Sequence, residues 1–230
     1  MKKNWFLRNV FLVSIIIFIF IINVYTVKAA SKNDCDENLA ILVDIGEEKL
    51  YLIDKEKNII LKEYSIASGK PETPSPTGTW KVVRMAKWSG GFGTRWIELN
   101  VPWGKFGIHG TNRPGTIGSE ASHGCIRMFN KNVEELYEYV EPGMIVAIYA
   151  GPNGPFEDGL ITLRPGDRGS DILEVQRKMK DKGYYPKDLD GIYGEDMKRY
   201  VIKFRKDNDL ENSHYIDKEF YEKLGIELID

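Results

Sequence analysis

From Leu39 to about Ala150 the apolar positions come in short runs broken by charged or turn-forming residues. Leu39–Asp44, Lys49–Asp54 and Ile59–Ile66 are rich in aliphatic and β-branched side chains, and Gly46-Glu47 and Lys55–Asn58 separate them. Further runs lie at Thr79–Met85, Arg95–Asn100, Phe106–His109 and Met144–Tyr149. Many short strands punctuated by Gly and Pro predict a mainly β domain over residues 39–150, sandwich or barrel-like. One helix is expected inside it at Val133–Val140, with Asn132 and Glu135 at the spacing of a capping pair. Ser68–Gly78 holds too many Pro and Gly for a strand and is expected as an ordered surface loop.

After a Gly- and Pro-rich linker at 151–159 the period changes. Ile172, Val175 and Met179 fall at helical spacing behind Asp171 and Glu174, which are placed to cap. Met197, Tyr200, Val201 and Phe204 repeat the apolar stripe. A third short helix is expected from Asp217, with Phe220 and Leu224 inward. Residues 160–230 therefore predict a small all-α domain of three helices, near the lower size limit for independent folding.

The first thirty residues have a different character. Lys2, Lys3 and Arg8 precede an uncharged stretch from Asn9 to Val27, whose centre, Val10–Ile22, is apolar except for Ser14. Basic residues before it and acids after it (Asp34, Asp36, Glu37) predict a signal peptide or N-terminal membrane anchor over 1–30 that sends the rest of the chain outside. If the segment is cleaved, the cut is expected after Ala29. Residues 31–38 read as a tether. The whole chain of 230 residues has a net charge of −2, but beyond residue 30 it carries 28 basic against 34 acidic side chains. Phosphate neutralisation needs clustered Lys and Arg, so nucleic acid is set aside as a partner. An exported body also permits a disulfide between the two cysteines, Cys35 and Cys125.

The chemistry gathers in one stretch. Ile108-His109-Gly110-Thr111 and Ser122-His123-Gly124-Cys125-Ile126-Arg127-Met128 hold two of the three histidines and the second cysteine, with 16 residues from His109 to Cys125. A neighbouring imidazole makes thiolate formation accessible near neutral pH. Gly124 leaves room for a carbonyl to approach, and adjacent amide N–H groups are candidates to stabilise a tetrahedral oxyanion. Arg127 supplies positive charge for a substrate carboxylate or for the thiolate. Zinc is disfavoured, because no CxxC and no fourth ligand sit at usable spacing. No metal or other cofactor is expected. His214 is expected at the surface.

These residues resemble a known signature. His109-Gly-Thr111, the intervening loop and Ser122-His-Gly-Cys-Ile-Arg127 are similar to the motif of L,D-transpeptidase catalytic domains, and Ser68-Gly69 with Thr73–Gly78 matches that family's upstream loop. The resemblance implies a β-sandwich-like fold over 39–150, Cys125 as nucleophile and His109 as base. It implies that His109 is held by a backbone carbonyl or hydroxyl near Gly110 and Thr111, while Ser122 and His123 shape the oxyanion pocket. Leu163–Asp171, Val175-Gln176, Gly183–Tyr185 and Asp190–Gly194 resemble a three-helix peptidoglycan-binding module, with Phe204-Arg205-Lys206 where that family more often has Phe-Gln.

Together the resemblances imply an extracytoplasmic cell-wall enzyme. Its partners would be peptidoglycan stem peptides and glycan, and the cytoplasmic membrane if the N-terminal segment is retained. Cys125 would displace the terminal D-Ala of a stem tetrapeptide, and an amine of a neighbouring stem would resolve the thioester. The helical module would tether the enzyme to its polymer and raise the local substrate concentration. Two alternatives stand: an L,D-carboxypeptidase with water as acceptor, and a wall-binding structural protein with an idle catalytic domain, against which the intact His109/Cys125 pair argues.

Overall fold

In the computed structural model, residues 38–229 are described. The N-terminal apolar segment, its cleavage site and Cys35 lie outside them. Eight strands close into a barrel: β1 (Leu39–Asp44), β2 (Lys49–Asp54), β3 (Ile59–Ala67), β4 (Gly78–Lys87), β5 (Arg95–Leu99), β6 (Phe106–His109), β7 (Ile126–Met128) and β8 (Ile145–Tyr149). Their spatial order is β1-β2-β3-β7-β6-β5-β4-β8. Closure removes both free sheet edges. It depends on two parallel pairs, β1 with β8 and β6 with β7, among otherwise antiparallel neighbours. Parallel strands cannot be joined by a tight turn. The β6–β7 connection is therefore the long loop 110–125, which carries most of the candidate chemistry.

The barrel interior is filled by Ile41, Val43, Leu50, Leu52, Ile66, Ile97, Ile108, Ile126 and Val146, each 0–1% exposed. At roughly 25 cal/mol per Å² of apolar surface removed from water, each such side chain contributes about 1.5–3 kcal/mol before conformational entropy is subtracted. The short strand β7 was not expected from its sequence. Three residues with Arg127 at the centre carry no readable period, and only pairing with β3 and β6 holds them extended.

The helix after β7, α1 (Asn130–Tyr137), starts earlier than expected, and Phe129 at its N-cap provides no side-chain cap. The proposed Asn132–Glu135 capping pair is not formed. Glu135 instead pairs with Lys62 of β3 at 2.7 Å. A second correction concerns α2 (Ser170–Asp181), whose N-cap is Gly169. There Asp171 accepts from the adjacent Ile172 N–H, while Glu174 pairs with Arg177. With α3 (Glu195–Asp207) and α4 (Lys218–Leu224) it forms the three-helix unit. α4 follows Asp217 as expected, and the Asp217 side chain caps it, accepting from Phe220 N–H.

The helical unit has its own core of Ile172, Val175, Met179, Tyr193, Met197, Val201, Phe204 and Phe220. Buried Gln176 ties the 190–192 loop to α2. Its Nε2 donates to Asp190 Oδ1 (2.7 Å) and Ile192 O (3.1 Å), and its Oε1 accepts from Asp190 and Gly191 N–H. Arg205, where the resembled family more often has Gln, is 1% exposed and donates to both carboxylate oxygens of Asp217 and to two backbone carbonyls. Its guanidinium joins α3 to the N-terminus of α4.

The segment 151–159 is packed against the helices. It forms a short 3₁₀ turn at Gly154–Phe156, and Phe156 buries edge-on against Tyr221 at 5.7 Å. Barrel and helices form one compact unit. Leu173 and Ile192 pack against the barrel core, and Gly191, at φ +63°, presses so close to Trp103 that a β-carbon there would lie 2.4 Å from the ring.

Candidate active site

The register of three adjacent strands builds one face of a cleft. Trp96 of β5 lies opposite His109 of β6, and His109 lies beside Arg127 of β7. Side chains alternate across a sheet, so these three share the face opposite Ile97, Ile108 and Ile126, which point into the barrel. Cys125, two residues before Arg127, falls on the same outer face. The register thus brings together His109, Cys125 and Arg127, which line one cleft of about 610 Å³ with His123 and Thr111.

His109 is 2% exposed. Its Nδ1–H donates to the Gly110 carbonyl, which leaves the lone pair on Nε2. Thr111, offered as an alternative anchor, instead accepts from Arg113 N–H at 3.0 Å and shapes the loop. Aromatic rings enclose the imidazole, with Phe92 at 5.0 Å and Trp96 at 5.6 Å between centroids. Burial, aided by nearby Arg127, pushes the imidazole down to about 4, against the pull of the Gly110 and Phe92 carbonyls. Burial raises the Cys125 thiol above its ordinary value, against smaller opposing effects of the Gly107 amide and Arg127. At neutral pH the two groups on this cleft wall are therefore uncharged, a thiol and a free base, so burial works against the thiolate that a neighbouring imidazole makes accessible. The thiol is not in a disulfide.

The remaining candidates have distinct places. Ser122 is fully buried; its Oγ accepts from Gly124 N–H at 2.9 Å, so that amide is engaged within the loop rather than free for an oxyanion. The Ser122 carbonyl accepts from Lys70 N–H and Thr73 Oγ–H, tying the 68–78 loop to the segment that carries Cys125. Gly124 has φ +103°, and a β-carbon there would lie 2.6 Å from the Phe106 ring. His123 is exposed at the rim. Arg127 donates to the Ala121 carbonyl at 3.2 Å, while its buried Nε has no partner among the described residues. His214 lies half-buried on Tyr215, remote from this cleft in the helical unit. The described residues contain no cluster of three or more His, Cys, Asp or Glu suited to a metal.

Sequence reasoning missed three contributors. Phe106 is the floor beneath Gly124. Asn130 Oδ1 wedges under both Gly93 and Gly110, where a β-carbon on either would come within 2.1 Å of it, so it fixes the backbone whose carbonyl holds His109. Glu48 accepts from the Ser68 N–H and hydroxyl and anchors the start of the 68–78 loop. Each acts through contacts distant in sequence. Only the glycines, unusual at strand ends, hint at such close approaches.

The cleft's charge is cationic. Arg84, Lys105, Arg113 and Arg127 face a single carboxylate, Glu98. A thiol, a buried base and a cationic wall suit acyl transfer from a substrate that bears carboxylates.

Residues 38–148 match the L,D-transpeptidase catalytic domain, and residues 168–224 match a domain described as "Putative peptidoglycan binding domain". "Putative L,D-transpeptidase YkuD" of Bacillus subtilis is 43% identical over 109 residues, covering 47% of this chain and 64% of that protein. Its namesake in Bacillus licheniformis is 39% identical with the same coverage. The chain thus matches under two thirds of the length of these relatives. Among solved structures, the catalytic domain of an E. faecium L,D-transpeptidase is 26% identical, covers 49% of this chain and 98% of that one, and has a TM-score of 0.42. An L,D-transpeptidase from Mycobacterium smegmatis is 21% identical, covers 49% and 59%, and also scores 0.42.

Proposed function

We propose that this chain, an L,D-transpeptidase catalytic domain followed by a peptidoglycan-binding domain, cross-links peptidoglycan stem peptides through a thioester on Cys125. The observation that carries the reading is the β6–β7 register, which sets a buried histidine with a fixed tautomer on the same cleft wall as the free thiol.

Because His109 is neutral and Cys125 protonated, attack and proton transfer belong to one step. His109 Nε2 takes the Sγ proton as sulfur adds to the stem carbonyl, and returns it to the departing D-Ala nitrogen as the C–N bond breaks. A thioester and free D-Ala result. An acceptor amine, having lost one proton to water, then attacks the thioester carbonyl. His109 passes the amine's second proton to Sγ as the C–S bond breaks, which restores the thiol and leaves a new amide. The bond energy is kept in the thioester, so no cofactor or nucleotide enters the balance. Arg127 and the cationic wall hold donor carboxylates.

The peptidoglycan-binding domain supplies the wall as partner. The N-terminal apolar segment supports work outside the cytoplasmic membrane, as a secreted or anchored protein. Among the described residues no helix is long and apolar enough to cross a membrane. The test is mass spectrometry of muropeptides incubated with the protein. Cross-linked dimers joined at the L-centre of the donor are expected; tripeptides alone, from hydrolysis, would instead identify a carboxypeptidase.

A further inference from the structure

A second cleft, of about 710 Å³, opens between the barrel and the helical domain. One wall is the 69–77 loop with Trp103 and Phe106; the other runs from Gly154 to Asp171. His123 lines this cleft and also the one that holds Cys125, so the two meet at the rim of the nucleophile. A transfer reaction needs two approaches to one thioester. The donor leaves its carbonyl in the first cleft, and the second substrate must arrive from elsewhere.

The two clefts differ in charge. The first has four cationic side chains against one carboxylate. The second has six carboxylates, among them Glu72, Glu120, Asp158 and Asp167, against three cationic side chains. Glu72 stands on the barrel side and Asp158 on the helical side, and both are exposed. We propose that this second cleft is the binding groove for the amine-bearing acceptor strand, and that the helical domain forms one of its walls.

The same structure argues that this wall is fixed in place. Leu173 and Ile192 pack on the barrel core, and Gly191 abuts Trp103. Trp103 meets Phe106 edge-on at 6.1 Å, and Phe106 underlies Gly124. The domain therefore reaches the residue preceding the nucleophile through two aromatic rings. A loosely strung tether would make none of these contacts. An ammonium entering the groove meets net negative charge, and the cationic first cleft repels it, so the two substrates sort by charge before any bond changes.

The proposal rests on the transpeptidase reading for the word acceptor, but its test does not need turnover. The Cys125→Ala chain is titrated, at low salt, with a tripeptide amide carrying one free lysine side-chain amine, and with the same peptide acetylated on that amine. Binding is followed by calorimetry. The free amine is expected to bind at least 5-fold tighter than the acetylated peptide. Glu72→Lys and Asp158→Lys, one on each wall, are each expected to remove most of that difference, and Glu138→Lys, exposed just past the C-terminus of α1, to leave it intact. Circular dichroism confirms that each variant is folded. Equal binding of the two peptides, or an unchanged preference in both wall variants, overturns the proposal. The transpeptidase reading fails separately, if the unaltered chain forms no thioester with a donor stem.

Discussion

Gly124 lies against the ring of Phe106 so closely that a β-carbon on it would stand 2.6 Å from Cε1, at a backbone φ of +103°. The residue before Cys125 thus faces two independent demands, one from conformation and one from contact. Gly124→Ala is expected to destabilise the fold by about 1–3 kcal/mol, since strain and overpacking add. It should also slow acylation, because relief of the clash displaces Cys125. Chemical denaturation together with single-turnover acylation checks both. Wild-type values in each would show that the loop yields at no cost.

His109→Ala is expected to lower the acylation rate by ~10²–10⁴-fold, the usual contribution of a positioned base. His123→Ala, an exposed rim residue, should cost less in that step. Stopped-flow acylation of both variants gives the ranking, and the reverse order would exchange their roles.

The pH dependence follows from the buried imidazole. Its folded value of about 4 lies below the ordinary 6.5. The free base therefore persists down to about pH 4, and the acid limb of kcat/KM for acylation should fall near there rather than near 6.5. Stability follows the same sign. The unfolded chain binds the extra proton first, so this group's contribution is complete above 6.5 and is lost as pH falls from 6.5 through 4. Alkylation of Cys125 by iodoacetamide, which requires thiolate, should rise only on the alkaline side, because burial raises the thiol. An acid limb at 6–7, with fast alkylation at pH 7, would indicate a resting ion pair instead.

Arg205 is nearly inaccessible and joins α3 to Asp217. Arg205→Ala takes the cation from Asp217 at the start of α4 and removes two further donations, to the Glu211 and Tyr215 carbonyls. Loss of about 3 kcal/mol from the helical domain is expected, the low end for a broken buried pair, because Asp217 is itself one third exposed. Limited proteolysis between α3 and α4 and thermal unfolding would register it. Unchanged protection there would mean that the pair is replaced by water.

Much of this was legible in the residues, and the exceptions have a common cause. Seven strands and the three terminal helices follow from local period. So does the grouping of His109 with Cys125, because one motif contains both. The Asn132–Glu135 cap failed because the helix already starts at Asn130, which places Asn132 inside it, and the Glu135 carboxylate goes to Lys62, 73 residues away. Strand β7 escaped because its extended form comes from its neighbours. Phe106, Asn130 and Trp103 could not be assigned, since each matters through a contact that only the closed barrel creates. The same holds for the protonation of the pair: adjacency suggested a thiolate, and burial reverses the balance.

Whether Cys125 carries an acyl group during turnover is read directly by intact-protein mass spectrometry after brief mixing with a stem tetrapeptide, followed by peptide mapping. A single adduct equal to the tetrapeptide less D-Ala is expected on the peptide spanning Ser122–Met128, absent in Cys125→Ala. An adduct on another residue, persistence of the adduct in Cys125→Ala, or cross-linking with no adduct at all would contradict that expectation.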